Sequence, residues 1–271
     1  MTLLQALVLG LVQGATEFLP VSSSGHLVLV PWLFGWEFAD IAFHVVLHAG
    51  TLLAVVIYFR RDLWALLCAA WHGILQRRPF EDPLSRQAWL LLLASLPAAV
   101  AGFLLEDLVS EALETPLAVS VFLLVTAGLL LISERLGRKD RDARSLGVWD
   151  ALWIGFAQAL ALFPGISRSG TTIAGGLTRG LRREEATRFS FLLAVPVILG
   201  GTVLAMVDFF STPTAGTQIV PMVVGFLTSA GIGYPAIHLL LVHVRRRPLT
   251  GFAVYCLLAG VAGLALSVFR G

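Results

Sequence analysis

Charge is what this chain has least of. Of its 271 residues only 13% are Asp, Glu, Lys or Arg, against about 25% in a soluble domain. That deficit, with 57% hydrophobic residues in long runs, excludes an ordinary water-soluble fold. Cysteine is nearly absent: Cys68 and Cys256 have no metal-ligand spacing and are expected to be free thiols, with no disulfide framework. The opening MTLLQALVLGLVQG carries no basic n-region, so the N-terminal apolar stretch is expected to remain in the mature protein. Low-complexity tracts and a second domain are also lacking. A net charge of +2 selects no partner class, and no nucleic-acid partner is expected.

The apolar runs make the chain an all-α polytopic membrane protein with a single transmembrane domain over 1–271. Six spans are expected near 41–59, 88–105, 115–133, 189–207, 218–242 and 250–269, each near the 17–25 residues a crossing needs. Arginines cluster after the first, third and fifth spans, at Arg60, Arg61, Arg77, Arg78 and Arg86, at Arg135, Arg138, Arg141 and Arg144 with Lys139, and at Arg245, Arg246 and Arg247. The loops after the second and fourth spans hold Glu106, Asp107, Glu111, Glu114 and Asp208, with no basic residue. The positive-inside rule then puts the arginine-rich loops in the cytoplasm and both termini outside.

Segments 1–40 and 150–187 do not fit simple crossings. The second has basic residues at both ends, and its apolar halves, 151–163 and 171–178, flank the helix-breaking PGISRSG. That describes a re-entrant hairpin, tolerated only where protein or a wet cavity surrounds it. The first has the same form and enters from the other side. Residues 6–26 set over 151–171 without a gap match at eight positions: Ala6, Leu7, Gly10, Gln13, Phe18, Ser22, Ser24 and Gly25 meet their like. The expected fold is therefore six transmembrane helices plus two re-entrant helical hairpins in an inverted-topology repeat, about 1–134 and about 150–271, with hairpin tips meeting near the midplane.

The tips carry TEFLPVSSSGH and ALFPGISRSGT. A charge at mid-membrane costs roughly 2.5–3.5 kcal/mol on insertion scales, so intramembrane charges tend to be functional. Glu17, His26 and Arg168 sit there among Ser22, Ser23, Ser24, Ser167, Ser169, Thr171 and Thr172, with Gly25, Gly165 and Gly170. Hydroxyls, helix N-termini and a planar guanidinium suit a phosphate. Glu17, with Gln13 one turn earlier, suits a hard divalent cation shared with phosphate oxygens. Ser23 is the first candidate nucleophile; His26 and water remain open. Ser23 pairs with Arg168 in the repeat alignment, so the hydroxyl and guanidinium are expected to face each other. Serines and glycines also serve close helix packing, and a Glu–Arg pair can be structural. His44 and His48 read as interfacial or hydrogen-bonded rather than metal ligands, since no carboxylate or cysteine lies near them in that span. Arg182 and Arg183 read as cytoplasmic anchors.

QGATEFLPVSSSGH and PGISRSGTT resemble the two signature motifs of the bacterial undecaprenyl-diphosphate phosphatases of the bacitracin-resistance type, and the likeness covers essentially the whole chain. The resemblance implies hydrolysis of undecaprenyl diphosphate to undecaprenyl phosphate at the outer face of the bacterial inner membrane, recycling the carrier for cell-wall synthesis. It implies a dependence on Mg2+ or Ca2+, with Gln13 and Glu17 as metal residues. Glu17, Ser23, His26 and Arg168 become catalytic candidates; Gln13, Ser22, Ser24, Gly25, Ser167, Ser169, Gly170 and Thr172 become substrate-binding candidates. Because Gln13 stands where the family allows Glu or Gln, a two-carboxylate metal site is not expected. The partners implied are the polyprenyl diphosphate lipid and membrane lipids, with a homodimer left open. A transporter or flippase of a polyprenyl phosphate lipid is the rival reading, since inverted repeats with hairpins are also transporter architecture.

Overall fold

The computed structural model describes residues 1–105, 115–210 and 219–270, without the side chains of 204–210. The acidic loop residues Glu106, Asp107, Glu111 and Glu114 therefore lie outside the described residues, as does the side chain of Asp208. Among the described residues there are eleven α-helices and no strand, only an isolated bridge between Arg141 and Leu181. In chain order they are α1 Leu3–Thr16, α2 Ser23–Phe34, α3 Ile41–Tyr58, α4 Arg60–Leu75, α5 Pro83–Leu104, α6 Pro116–Leu136, α7 Val148–Leu160, α8 Arg168–Thr178, α9 Arg183–Phe210, α10 Ile219–Arg246 and α11 Thr250–Arg270.

Six of these, α3, α5, α6, α9, α10 and α11, are long and apolar enough to cross a membrane. They match the six expected spans, and the chain is a multi-pass membrane protein. Their outward faces are oil: Leu92, Leu96, Val100 and Phe103 form one exposed stripe along α5, a face that water would not tolerate but acyl chains solvate. The remaining short helices form two consecutive pairs. α1 and α2 have 14 and 12 residues, α7 and α8 have 13 and 11. At 1.5 Å per residue each falls well short of the ~30 Å hydrocarbon thickness.

Local sequence sets these boundaries. Thr2 and Gln5 cap α1 reciprocally, the Thr2 Oγ1 accepting from the Gln5 amide at 3.2 Å. Pro20 follows the end of α1, and Pro164 with Gly165 follows α7. Gly165 has φ +99°, and a Cβ there would lie 2.4 Å from the Val119 carbonyl. Only glycine fits such a turn. Ser22 and Ser167 then start α2 and α8 as N-caps, accepting from the amides of Gly25 at 3.3 Å and Gly170 at 3.0 Å.

One difference from expectation concerns 60–87, read as a loop. It contains α4, an amphipathic helix whose Trp64, Leu67, Trp71, Ile74 and Leu75 are exposed on one face. α5 also begins at Pro83, five residues before the expected span, because Asp82 caps it by accepting from the Ser85 amide at 2.8 Å.

The bundle packs through small residues, as helices in lipid do. α1 lies on α10, where a Cβ at Gly14 would meet the Ser229 carbonyl at 2.7 Å, and α7 lies on α5, where Gly155 would meet the Ala94 carbonyl at 2.6 Å. Phe18, Phe59, Phe189 and Phe191 fill the centre, Phe18 and Phe191 edge to face at 5.3 Å. Ion pairs tie the arginine-rich ends. Arg183, expected as an anchor, grips Glu134 with Nε at 2.8 Å and Nη2 at 2.7 Å. Arg182 reaches Asp142 at 3.1 Å. Asp150 takes Arg141 at 2.9 Å and also Arg179. Burial pushes the Asp150 carboxyl up, but hydrogen bonds from Arg141, the Gly147 amide and Arg179 outweigh it and hold the group below the usual aspartate range.

Candidate active site

The two short-helix pairs meet at their turns. A Cβ added to Gly25 would lie 3.2 Å from the Gly165 Cα, so the starts of α2 and α8 are adjacent. Ser169 Oγ donates to the Leu19 carbonyl at 3.0 Å and stitches the second turn to the first.

Around this junction the polar side chains interlock. Gln13 and Glu17 share a face of α1 and its C-cap, four residues apart, both buried. Arg168, first residue of α8, donates from Nη2 to Glu17 Oε1 at 2.8 Å and from Nη1 to the Ser190 carbonyl at 3.2 Å. Ser23, first residue of α2, donates its hydroxyl to Glu17 Oε2 at 2.6 Å. Gln13 Nε2 donates to the same oxygen at 3.1 Å. Thr172 Oγ1 donates to the Arg168 carbonyl at 2.8 Å and lies 2.6 Å from Ser190 Oγ. The expected face-to-face arrangement of Ser23 and Arg168 is thus mediated: each holds one oxygen of Glu17.

The two caps repeat each other. Ser22 Oγ lies 3.3 Å from Ser24 Oγ, and Ser167 Oγ lies 3.2 Å from Ser169 Oγ. Ser22 adopts φ +70° to do this, a strained setting of the kind that clusters at functional sites. The first-turn amides of α2 and α8 have no acceptor within their own helices, so two positive helix ends sit beside one guanidinium. That combination suits an anion with several oxygens. Breaking the buried Glu17–Arg168 pair by removing one partner costs about 3–5 kcal/mol.

His26 stands apart from this cluster. Its Nδ1 lies 2.7 Å from the Ser22 carbonyl and its Nε2 lies 2.6 Å from Tyr255 Oη, so its nitrogens engage neither Glu17, Ser23 nor Arg168. Conversely His48, set aside on sequence, joins the cluster with Nε2 3.6 Å from Glu17 Oε2. The carboxylate missing from its own span comes from α1. Thr51 Oγ1, a turn away, lies 3.5 Å from Gln13 Nε2. Ser190 and Tyr255, which reach Thr172 and His26, carry no sequence signal that marks them as part of the site.

Among the described residues no three His, Cys, Asp or Glu side chains cluster as a metal site. Gln13 Oε1, however, is buried without a hydrogen-bond partner, while its Nε2 faces Glu17; amide and carboxylate oxygens are of the hard type that Mg2+ or Ca2+ accepts. Gln158, the repeat counterpart of Gln13, is buried with both amide atoms unpartnered.

A six-span helical fold enclosing a carboxylate, a guanidinium and a ring of hydroxyls between two helix starts defines an integral membrane protein with a buried, anion-suited centre. The chain belongs to the bacitracin resistance protein BacA family, whose model matches residues 6–262. It is 47% identical over 269 residues to an undecaprenyl-diphosphatase of Rubrobacter xylanophilus, covering 97% of this chain and 98% of that one. It is 42% identical over 276 residues to an undecaprenyl-diphosphatase of Thermomicrobium roseum, covering 99% of each. A third relative of that name, from Alcanivorax borkumensis, is 44% identical over 262 residues, 95% of this chain and 96% of that one.

Proposed function

We propose that this protein is an integral-membrane phosphatase that hydrolyses undecaprenyl diphosphate to undecaprenyl phosphate and phosphate, recycling the lipid carrier for cell-wall synthesis and conferring bacitracin resistance. The observation that carries the reading is Glu17, held between Ser23 at 2.6 Å and Arg168 at 2.8 Å in the junction of the two short-helix pairs. Relatives matching nearly full length carry the name of that activity.

In this reading the diphosphate enters beside the starts of α2 and α8. Arg168 and the first-turn amides take its oxygens, with Ser22, Ser24, Ser167, Ser169 and Thr172 shaping the cradle about Gly25 and Gly170. Glu17 accepts the Ser23 proton as Ser23 attacks the terminal phosphorus, and the bond to the bridging oxygen breaks to release undecaprenyl phosphate. Glu17 passes that first proton to the departing undecaprenyl phosphate; it then takes one proton from the water that attacks the phosphoserine and returns it to Ser23 Oγ as the Oγ–P bond breaks, while the other hydrogen leaves with phosphate. His26, three residues after Ser23 on α2, serves proton transfer at the phosphate. Gln13 Oε1 and Glu17 fit a divalent cation, which when bound neutralises charge on the diphosphate.

The two short-helix pairs are read as re-entrant hairpins of an inverted repeat, with the site open to the outer face of the plasma membrane and both termini extracytoplasmic. Support comes from helix lengths, from the duplicated serine caps, and from packing: α1 rests on α10 as α7 rests on α5, the pairing a two-fold relation between repeats requires. The arginine-rich loops supply the orientation.

Purified protein in detergent, given undecaprenyl diphosphate and Mg2+, tests the reading. Stoichiometric release of phosphate is expected. No release, with movement of the lipid between leaflets in proteoliposomes, would replace the enzyme with a flippase.

A further inference from the structure

The contacts of His26 determine its tautomer. A carbonyl oxygen can only accept, so the 2.7 Å contact with the Ser22 carbonyl requires the proton on Nδ1. In the neutral ring Nε2 is then the lone-pair nitrogen, and Tyr255 Oη at 2.6 Å must donate to it. The two rings also stack, 5.6 Å between centroids and 11° between planes. His26 is held from both sides, by a strained serine at the start of α2 and by a tyrosine from α11, 229 residues away in sequence.

Tyr255 is half-exposed on its helix, next to Cys256, which is buried against the Pro20 carbonyl. The same stretch of α11 that carries the tyrosine therefore packs on the first turn of the active-site junction. A tyrosine on a membrane helix can serve merely as an interfacial anchor. An anchor has no need of a 2.6 Å hydrogen bond to the one histidine of the motif, nor of ring stacking on it.

We propose that Tyr255 is a positioning residue for the phosphatase reaction: its hydroxyl and ring fix His26 in the Nδ1–H tautomer and in one rotamer, with the Nε2 lone pair on the Tyr255 hydroxyl, so that a proton moving between His26 and the phosphate passes through that hydroxyl. The inference rests on the phosphatase reading for its effect on turnover, but its geometric claim stands independently. An imidazole left to choose its tautomer and rotamer would present the basic nitrogen only part of the time. That loss falls on kcat, since a group used for proton transfer in the transition state contributes little to ground-state binding.

The test uses full-length protein in detergent, labelled with 15N-histidine, comparing wild type with Tyr255→Phe and Tyr255→Ala. The His26 signals are assigned by their loss in His26→Gln. In wild type the Nε2 signal is expected at the position of a hydrogen-bonded acceptor. Tyr255→Phe keeps the ring and removes the hydroxyl; it should move Nε2 to the free lone-pair position and lower kcat about 10-fold, with KM within about 2-fold. Tyr255→Ala should add a mixture of tautomers. If the His26 signals are identical in wild type and Tyr255→Phe, the contact is absent and the proposal fails. If the signals move while kcat holds at wild-type values, Tyr255 has no role in turnover and the proposal fails. A wild-type protein that releases no phosphate defeats the phosphatase reading instead, and the nitrogen signals still decide the tautomer.

Discussion

Ser23 gives its hydroxyl hydrogen to Glu17 Oε2 at 2.6 Å, across a turn of five residues that contains Pro20. The distance is that of a charge-assisted O–H···O bond, and it joins the candidate nucleophile to the one motif carboxylate. Ser23→Ala is therefore expected to lower kcat at least about 10²-fold. Rapid-quench experiments with labelled substrate should trap an acid-stable phosphoserine at Ser23. An acid-labile, base-stable adduct would move the nucleophile to His26, and near-normal turnover of Ser23→Ala would reduce the hydroxyl to a binding contact.

Arg168 divides its guanidinium between Glu17 and the Ser190 carbonyl, a fork that an ammonium cannot reproduce. Arg168→Ala and Arg168→Lys should both lose at least about 10²-fold in kcat/KM, the lysine recovering only part of the loss. Arg168→Ala also strands the buried Glu17 carboxylate, so its thermal unfolding in detergent should fall. Adding Glu17→Gln should raise the unfolding temperature again while leaving activity absent. A lysine variant with wild-type kinetics would remove the bidentate role.

The site was legible where polarity contradicts its surroundings. Glu17, Ser23 and Arg168 are conspicuous because a bilayer penalises them, and the matched serines and glycines of the two segments point to adjacent turns. His48 was not legible, because the carboxylate that gives it meaning lies 31 positions away on another helix. Tyr255 reads in sequence as one more aromatic on an apolar helix. In the fold, α4 is less legible because its run is too short and too charged to read as a span, although Trp64, Leu67 and Trp71 recur at the helical spacing of three and four. The helix starts at Ser23 and Arg168 depended on capping geometry, which composition alone does not reveal.

Orientation can be checked with single cysteines in a background lacking Cys68 and Cys256. Arg77 and Arg138 lie exposed in the basic loops, and Glu37 lies exposed between α2 and α3. In intact cells an impermeant maleimide should label Glu37→Cys and spare Arg77→Cys and Arg138→Cys. Labelling of the two arginine positions from outside would invert the topology and close the proposed site to the outer face.

Gln13 tests the cation. Its Oε1 is buried and unpartnered while its Nε2 is spent on Glu17, so one change can add a charge and another can delete the oxygen. Gln13→Glu places a second carboxylate against the first. Without a cation the two repel, and the variant should unfold at lower temperature in chelator than the wild type does. With Mg2+ the extra charge becomes a ligand, and the half-activating concentration should fall about 10-fold, equivalent to about 1.4 kcal/mol. Gln13→Leu removes the oxygen and should shift half-activation to higher Mg2+. Two variants with wild-type Mg2+ dependence would take Gln13 out of the cation site and leave its amide as a brace for Glu17.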